Sequence, residues 1–167
     1  MKAEEVHGHI GMMNAKVNEI IGKKTQGVHF GGYRELLAAV ASIEEFYDLS
    51  YAPKTEERRS DIMNIMINAV LEEQSTDQIY QSLKNKGLAD EDASKVASTE
   101  EQRIRNLASW YQYYGGGYKF FSAQCENKVC EKCKEAYKDD KKYPIEQLNM
   151  LPPLDGECKC DLMFYRK

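Results

Sequence analysis

All five cysteines of this chain lie in its last third, between Cys125 and Cys160. Four of them form two close pairs, Cys130-Glu-Lys-Cys133 and Cys158-Lys-Cys160. A C-x-x-C turn places two sulfurs where both can reach one metal ion, and a second pair further along supplies the other half of a tetrahedral set. The backbone N–H groups of such a turn also point at the thiolates and lower their pKa. The stretch between the pairs has no long apolar run, so it cannot bury much core of its own. A metal or a covalent link would supply the missing constraint, as small modules generally need.

Four states of these cysteines fit the spacing. The leading one is a structural zinc ion held by Cys130, Cys133, Cys158 and Cys160. The others are disulfides formed in an oxidising environment, reduced thiols packed as small apolar residues, and a redox-active C-x-x-C. No βαβ pattern surrounds the motif, which weighs against the redox reading. Cys125 is the odd one, read as a free or packed thiol.

The preceding two thirds read as helices. Val6, Ile10, Met13, Val17 and Ile20 step by 4, 3, 4 and 3 residues, which draws one apolar seam along a helix from Met1 to about Lys24. That seam can dock on its own domain or on another subunit. A glycine-rich break, Thr25 to Gly32, follows. A second helical pattern runs from Tyr33 to Tyr51, ahead of Pro53. A third runs from Thr55 to Gln74 with Ile62, Met66, Ala69 and Val70 on its core face. Ser75 and Gln78 form a capping box, and the short helix they start stops at Gly87, a left-handed C-terminal position. Asp90 is placed to cap a long helix carrying Ala93, Val96, Ala97, Ile104, Leu107, Ala108 and Tyr111. Gly115, Gly116 and Gly117 end it. Short strands are expected at Tyr118 to Phe121 and Leu162 to Tyr165, separated by an irregular loop with Pro144, Pro152 and Pro153.

Charge and motif content exclude several classes. Lys and Arg number 23 against 27 Asp and Glu, a net charge of −4. Affinity for phosphate backbones comes mainly from Lys and Arg, so DNA contact is not indicated by the net charge. Trp110, Tyr111, Tyr113, Tyr114 and Tyr118 could stack bases, but the charge around them is mixed and packing is the better account. No apolar run approaches the roughly 18 residues of a membrane span. The three histidines, His7, His9 and His29, all lie far in sequence from the cysteines. With no glycine-rich phosphate loop and no nucleophile beside a base, the expectation is a chain that is not an enzyme.

The order of features resembles the head-morphogenesis domain of tailed-phage minor head proteins, the phage Mu F-like group. The likeness begins at Glu73-Gln-Ser-Thr-Asp-Gln-Ile79, similar to that family's G-x-S-x-x-x-I helix start. It continues at Ala97-Ser-Thr-Glu100, where the family tends to read Ala-Arg-Thr-Glu. An aromatic and glycine hinge follows, Tyr113 to Gly117, then a strand and C-x-x-C turn, Phe120 to Cys133. The end, Pro152-Pro-Leu-Asp-Gly-Glu-Cys-Lys-Cys160, is similar to Pro-x-His-Pro-x-Cys-Arg-Cys. Ser98, Asp155, Gly156 and Lys159 depart from the pattern, whereas the paired cysteines remain.

The expected fold is mainly α: a helical N-terminal two thirds and a small α+β, zinc-stabilised C-terminal subdomain. The expected units are an amphipathic helix at 1–24, a helical domain at 33–117 and a cysteine-rich part with short strands at 118–167. The resemblance implies a structural minor head protein, located in the virion and host cytoplasm. Its implied partners are portal protein, scaffold or other capsid proteins, and self-association through the N-terminal helix is a further expectation. The alternative is a small zinc-bearing interaction or regulatory module, with nucleic acid among its candidate partners.

Overall fold

Helix α1, Ala3–Thr25, opens with Glu4 and Glu5 in its first turn, where carboxylates suit the positive end of the helix dipole. The computed structural model describes residues 2–25, 32–44, 47, 56–126, 131–154 and 158–167. Within α1 the apolar seam divides. Val6 and Ile10 are fully enclosed, Met13 and Val17 are half-buried, and Ile20 is 55 % exposed. The first half of the seam is therefore core, and the second half runs past the body that covers it. The glycine-rich break falls mostly outside the described residues.

Helix α2, Tyr33–Ala41, packs between α1 and helix α3, Glu56–Leu71. It ends ten residues before the expected Tyr51. Ser42 Oγ donates to the Ala39 carbonyl at 2.7 Å, and the Tyr47 hydroxyl donates to the Ala41 carbonyl at 2.6 Å. The chain thus folds back on its own helix end, which satisfies carbonyls that a continuing helix would have used. Helix α3 buries Ile62, Met66 and Ala69 as their spacing predicts.

Helix α4, Thr76–Asn85, starts with the capping box read from the sequence. Gln78 N–H donates to Ser75 Oγ at 3.3 Å, and Ser75 N–H donates to Gln78 Oε1 at 2.8 Å. Past its end Gly87 takes φ +87°, a conformation that costs other residues a Cβ clash. Helix α5, Asp90–Gly115, begins differently from expectation. Ala89 holds the cap position and Asp90 is the first helical residue. The Asp90 carboxylate is drawn instead to Lys84 Nζ of α4, 2.6 Å away.

After the glycines, strand β1, Phe120–Cys125, leads to the short helix α6, Glu131–Ala136. Strand β2 is only Tyr143–Pro144, and strand β3 is Cys160–Tyr165. The sheet is antiparallel in the order β2-β1-β3. Both strands expected from the sequence, β1 and β3, run further toward the cysteines, since each added residue of β1 finds a partner on β3. The sheet lies against α5. Phe121, Ile145 and Trp110 are all enclosed there, in one buried cluster that also includes Val6, Ile10, Leu36 and Met66. The chain is mainly helical with a small C-terminal antiparallel sheet, as expected. Among the described residues no helix is long and apolar enough to cross a membrane.

Candidate metal centre

Register builds the cysteine site. Phe120 pairs with Tyr165, and five steps along the antiparallel ladder Cys125 meets Cys160. The two residues are joined as a disulfide. Cys125 is therefore not the odd thiol its position suggested. It sits at the far end of β1, directly opposite the last cysteine of the C-x-C pair.

Two further sulfurs converge on this pair. Cys133 lies in α6 and is fully buried. Cys158 precedes β3 and is 1 % exposed; its Sγ is 3.1 Å from that of Cys133. The sulfurs of Cys125, Cys133 and Cys160 all lie within 4.8 Å of one another, close enough to hold one metal ion. Of the four residues expected to ligate zinc, Cys133, Cys158 and Cys160 come together, while Cys130 lies outside the described residues.

The walls of the cluster are fixed from both sides. Gln102 Nε2 of α5 donates to the Cys160 carbonyl at 3.2 Å, and Asn106 Nδ2 donates to the Pro152 carbonyl at 2.9 Å. Glu126 N–H donates to the Lys159 carbonyl at 2.9 Å, extending the ladder one step beyond the disulfide. Tyr137 donates its hydroxyl to the Met150 carbonyl. Burial, then the negative charge of Cys133 and the neighbouring Tyr143, push its phenol well above the usual range, so it stays protonated and acts as a donor. On the outer side a cavity of about 560 Å³ opens onto Cys125 and Cys133, with Glu126, Lys134, Asp140 and Asp161 around it.

This arrangement supports two chemistries of the same sulfurs. A buried thiolate is costly without a counter-charge. A disulfide removes the charge, and a soft divalent ion neutralises it. Cys125 and Cys160 are bonded to each other and Cys158 is also disulfide-bonded, so a tetrahedral thiolate site, in which Zn–S distances of about 2.3 Å imply S···S distances of about 3.8 Å, requires these bonds to be reduced first.

The remaining candidates resolve as packing. His7 stacks on Tyr111 at 4.4 Å with the planes 19° apart, and it also contacts Trp110 and Tyr114. Tyr113 stacks on Phe164 at 4.2 Å, and Tyr118 meets Tyr113 edge-on. His29 lies outside the described residues. Sequence reasoning missed Cys125 as a member of the cluster. The alternation along Phe120 to Cys125 hints at a longer strand, but only the register with β3 pairs that cysteine with Cys160.

No protein-family model, curated protein or solved structure matches this chain.

Proposed function

We propose that the chain is a minor head protein of a tailed phage or provirus, a docking component of capsid assembly or DNA delivery rather than an enzyme. One observation carries the reading. Two of the segments on which the resemblance rests, the proline loop and the C-x-C strand, are tied to the long helix at Asn106. Its side-chain amide donates to the carbonyls of Pro152 and Cys160, at 2.9 and 3.4 Å. Long helix, proline loop and C-x-C strand thus form one arrangement, which supports reading them as parts of a single unit. The contact surface is the helical part. It offers the exposed Met12 and Ile20 of α1, and a groove of about 450 Å³ between α2, α3, α4 and α5, floored by Leu37, Met66, Val70 and Ile104.

The reduced cysteine cluster holds one structural zinc ion in this reading. Its chemistry is that of a closed, all-sulfur site that staples α6 to β3. Elemental analysis of reduced protein is expected to find close to one zinc per chain. Less than about 0.2 equivalents, with a fold indifferent to chelator, overturns the zinc.

Docking is tested by co-expression with a portal protein, which this reading expects to be encoded by a neighbouring gene. A complex that survives gel filtration is expected. Absence of the complex, together with DNA binding that weakens steeply with salt, transfers the chain to the class of nucleic-acid-binding zinc modules.

A further inference from the structure

The geometry points to a self-association surface on the outer edge of β3, where two copies of this chain pair antiparallel about Met163 and join their sheets into one. The pairing stands whether or not the helical part docks on a portal protein, and it uses neither the groove nor the cysteine cluster.

The sheet order β2-β1-β3 leaves β3 with a neighbour on one side only. Two bonds fix which of its backbone groups face that neighbour. Glu126 N–H donates to the Lys159 carbonyl and Lys119 N–H donates to the Tyr165 carbonyl, both at 2.9 Å. Asp161, Met163 and Tyr165 therefore turn their backbone groups toward β1, while Cys160, Leu162 and Phe164 turn theirs outward, because hydrogen-bonded and non-hydrogen-bonded pairs alternate along an antiparallel ladder. The outward carbonyl of Cys160 is engaged by the amides of Gln102 and Asn106 of α5. The outward N–H and C=O groups of Leu162 and Phe164 have no partner among the described residues. Beside them lies a recess of about 300 Å³ whose far wall includes Arg105, Ser109 and Tyr113 of α5. The helix that covers the edge at Cys160 thus leaves it open two residues later.

An open edge is a template for another strand, and this one is complementary to itself. A two-fold axis through Met163 places Leu162 opposite Phe164 of the second copy, and Phe164 opposite its Leu162. Each of these pairs exchanges both N–H···O=C bonds, so every open group on both edges is satisfied. A shifted register loses bonds or meets the Cys160 carbonyl, which is already engaged. Charge selects the same occupant. In this register Asp161 stands opposite Tyr165 of the second copy and diagonal to its Lys167, and cross-strand neighbours at those positions interact. Lys142 Nζ lies over the Tyr165 ring, 4.0 Å from its centroid, so Asp161 meets two ammonium groups there. None of Asp161, Lys142 and Lys167 is in an ion pair among the described residues. Symmetry makes the match twice, as an isologous interface requires. A foreign strand has to supply that match itself; a second copy brings it.

The test is sedimentation equilibrium of the full chain at rising concentration, where a monomer–dimer equilibrium is expected. Leu162→Pro removes an outward N–H and leaves the bonds to β1 in place. It is expected to weaken the dimer by about tenfold or more, since symmetry deletes two bonds at once, with the circular dichroism unchanged. Asp161→Lys, at an exposed position, is expected to weaken the dimer several-fold and decides the matter if the proline variant fails to fold. Met163→Cys sets two sulfurs face to face across the axis, in a non-hydrogen-bonded pair where side chains are closest. Mild oxidation is expected to give a covalent dimer whose link maps to position 163 in both copies. A chain that stays monomeric at every concentration and forms no such link overturns the proposal. A dimer that ignores both β3 substitutions, or that dissociates on Ile20→Ala instead, places the interface elsewhere and overturns it equally.

Discussion

Trp110 of α5 donates its indole N–H to the Ile145 carbonyl at 2.8 Å, and both residues are fully enclosed. The bond joins the long helix to the loop that follows β2, so the helices and the cysteine-bearing sheet share one core. An unpaired buried carbonyl costs about 1–3 kcal/mol, and shrinking the ring system leaves a void as well. Trp110→Phe is therefore expected to lose about 2–4 kcal/mol. Urea unfolding followed by far-UV circular dichroism measures it, since Trp110 is the single tryptophan. A loss confined to the sheet, with the helices melting as before, would contradict a shared core.

Two members of one sequence seam are expected to behave oppositely. Ile10 is completely buried and Ile20 is 55 % exposed. Ile10→Ala should cost about 2–5 kcal/mol. Ile20→Ala should stay within about 0.5 kcal/mol of the parent, and it should weaken only the association with portal or with another copy. Equal stability losses at the two sites would show that the whole seam is core.

The capping box at the start of α4 gives a cleaner local test. Ser75→Ala removes the oxygen that accepts the Gln78 N–H, at a cost of about 1 kcal/mol. Ser75→Asp keeps an acceptor at the same place and should restore most of the loss. Thermal melts of the pair decide it.

Tyr47 gives the chain an alkaline sensitivity of known sign. Burial first, and the Glu100 carboxylate second, raise its phenol well above the usual value, while Arg103 opposes them. The unfolded phenol ionises near pH 10, so the stabilisation is complete below about pH 10. It falls as pH rises through that value toward the folded one. Tyr47→Phe should be weaker at neutral pH by about 1 kcal/mol, the hydrogen bond to Ala41 being lost. The gap between variant and parent should narrow between about pH 10 and 11. A gap that stays constant across that range rules out the buried phenol as the cause.

Local features were legible because neighbours in the chain decide them. The Ser75–Gln78 box, the left-handed Gly87 and the core faces of α3 and α5 each depend on hydrogen bonds or periodicity within a few residues. The meeting of Cys133 with Cys158 and Cys160 was expected from the two cysteine motifs, which a shared site would bring together. What lies opposite a residue is not written in its own spacing. Ile10 and Ile20 share one seam, yet only the first is enclosed. The end of α2 was set by Tyr47 returning to Ala41, and Asp90 was claimed by Lys84 of the preceding helix. Cys125 carries no motif at all. It joins Cys160 because an antiparallel ladder, once its first pair is set, fixes every later pair by moving one residue along each strand.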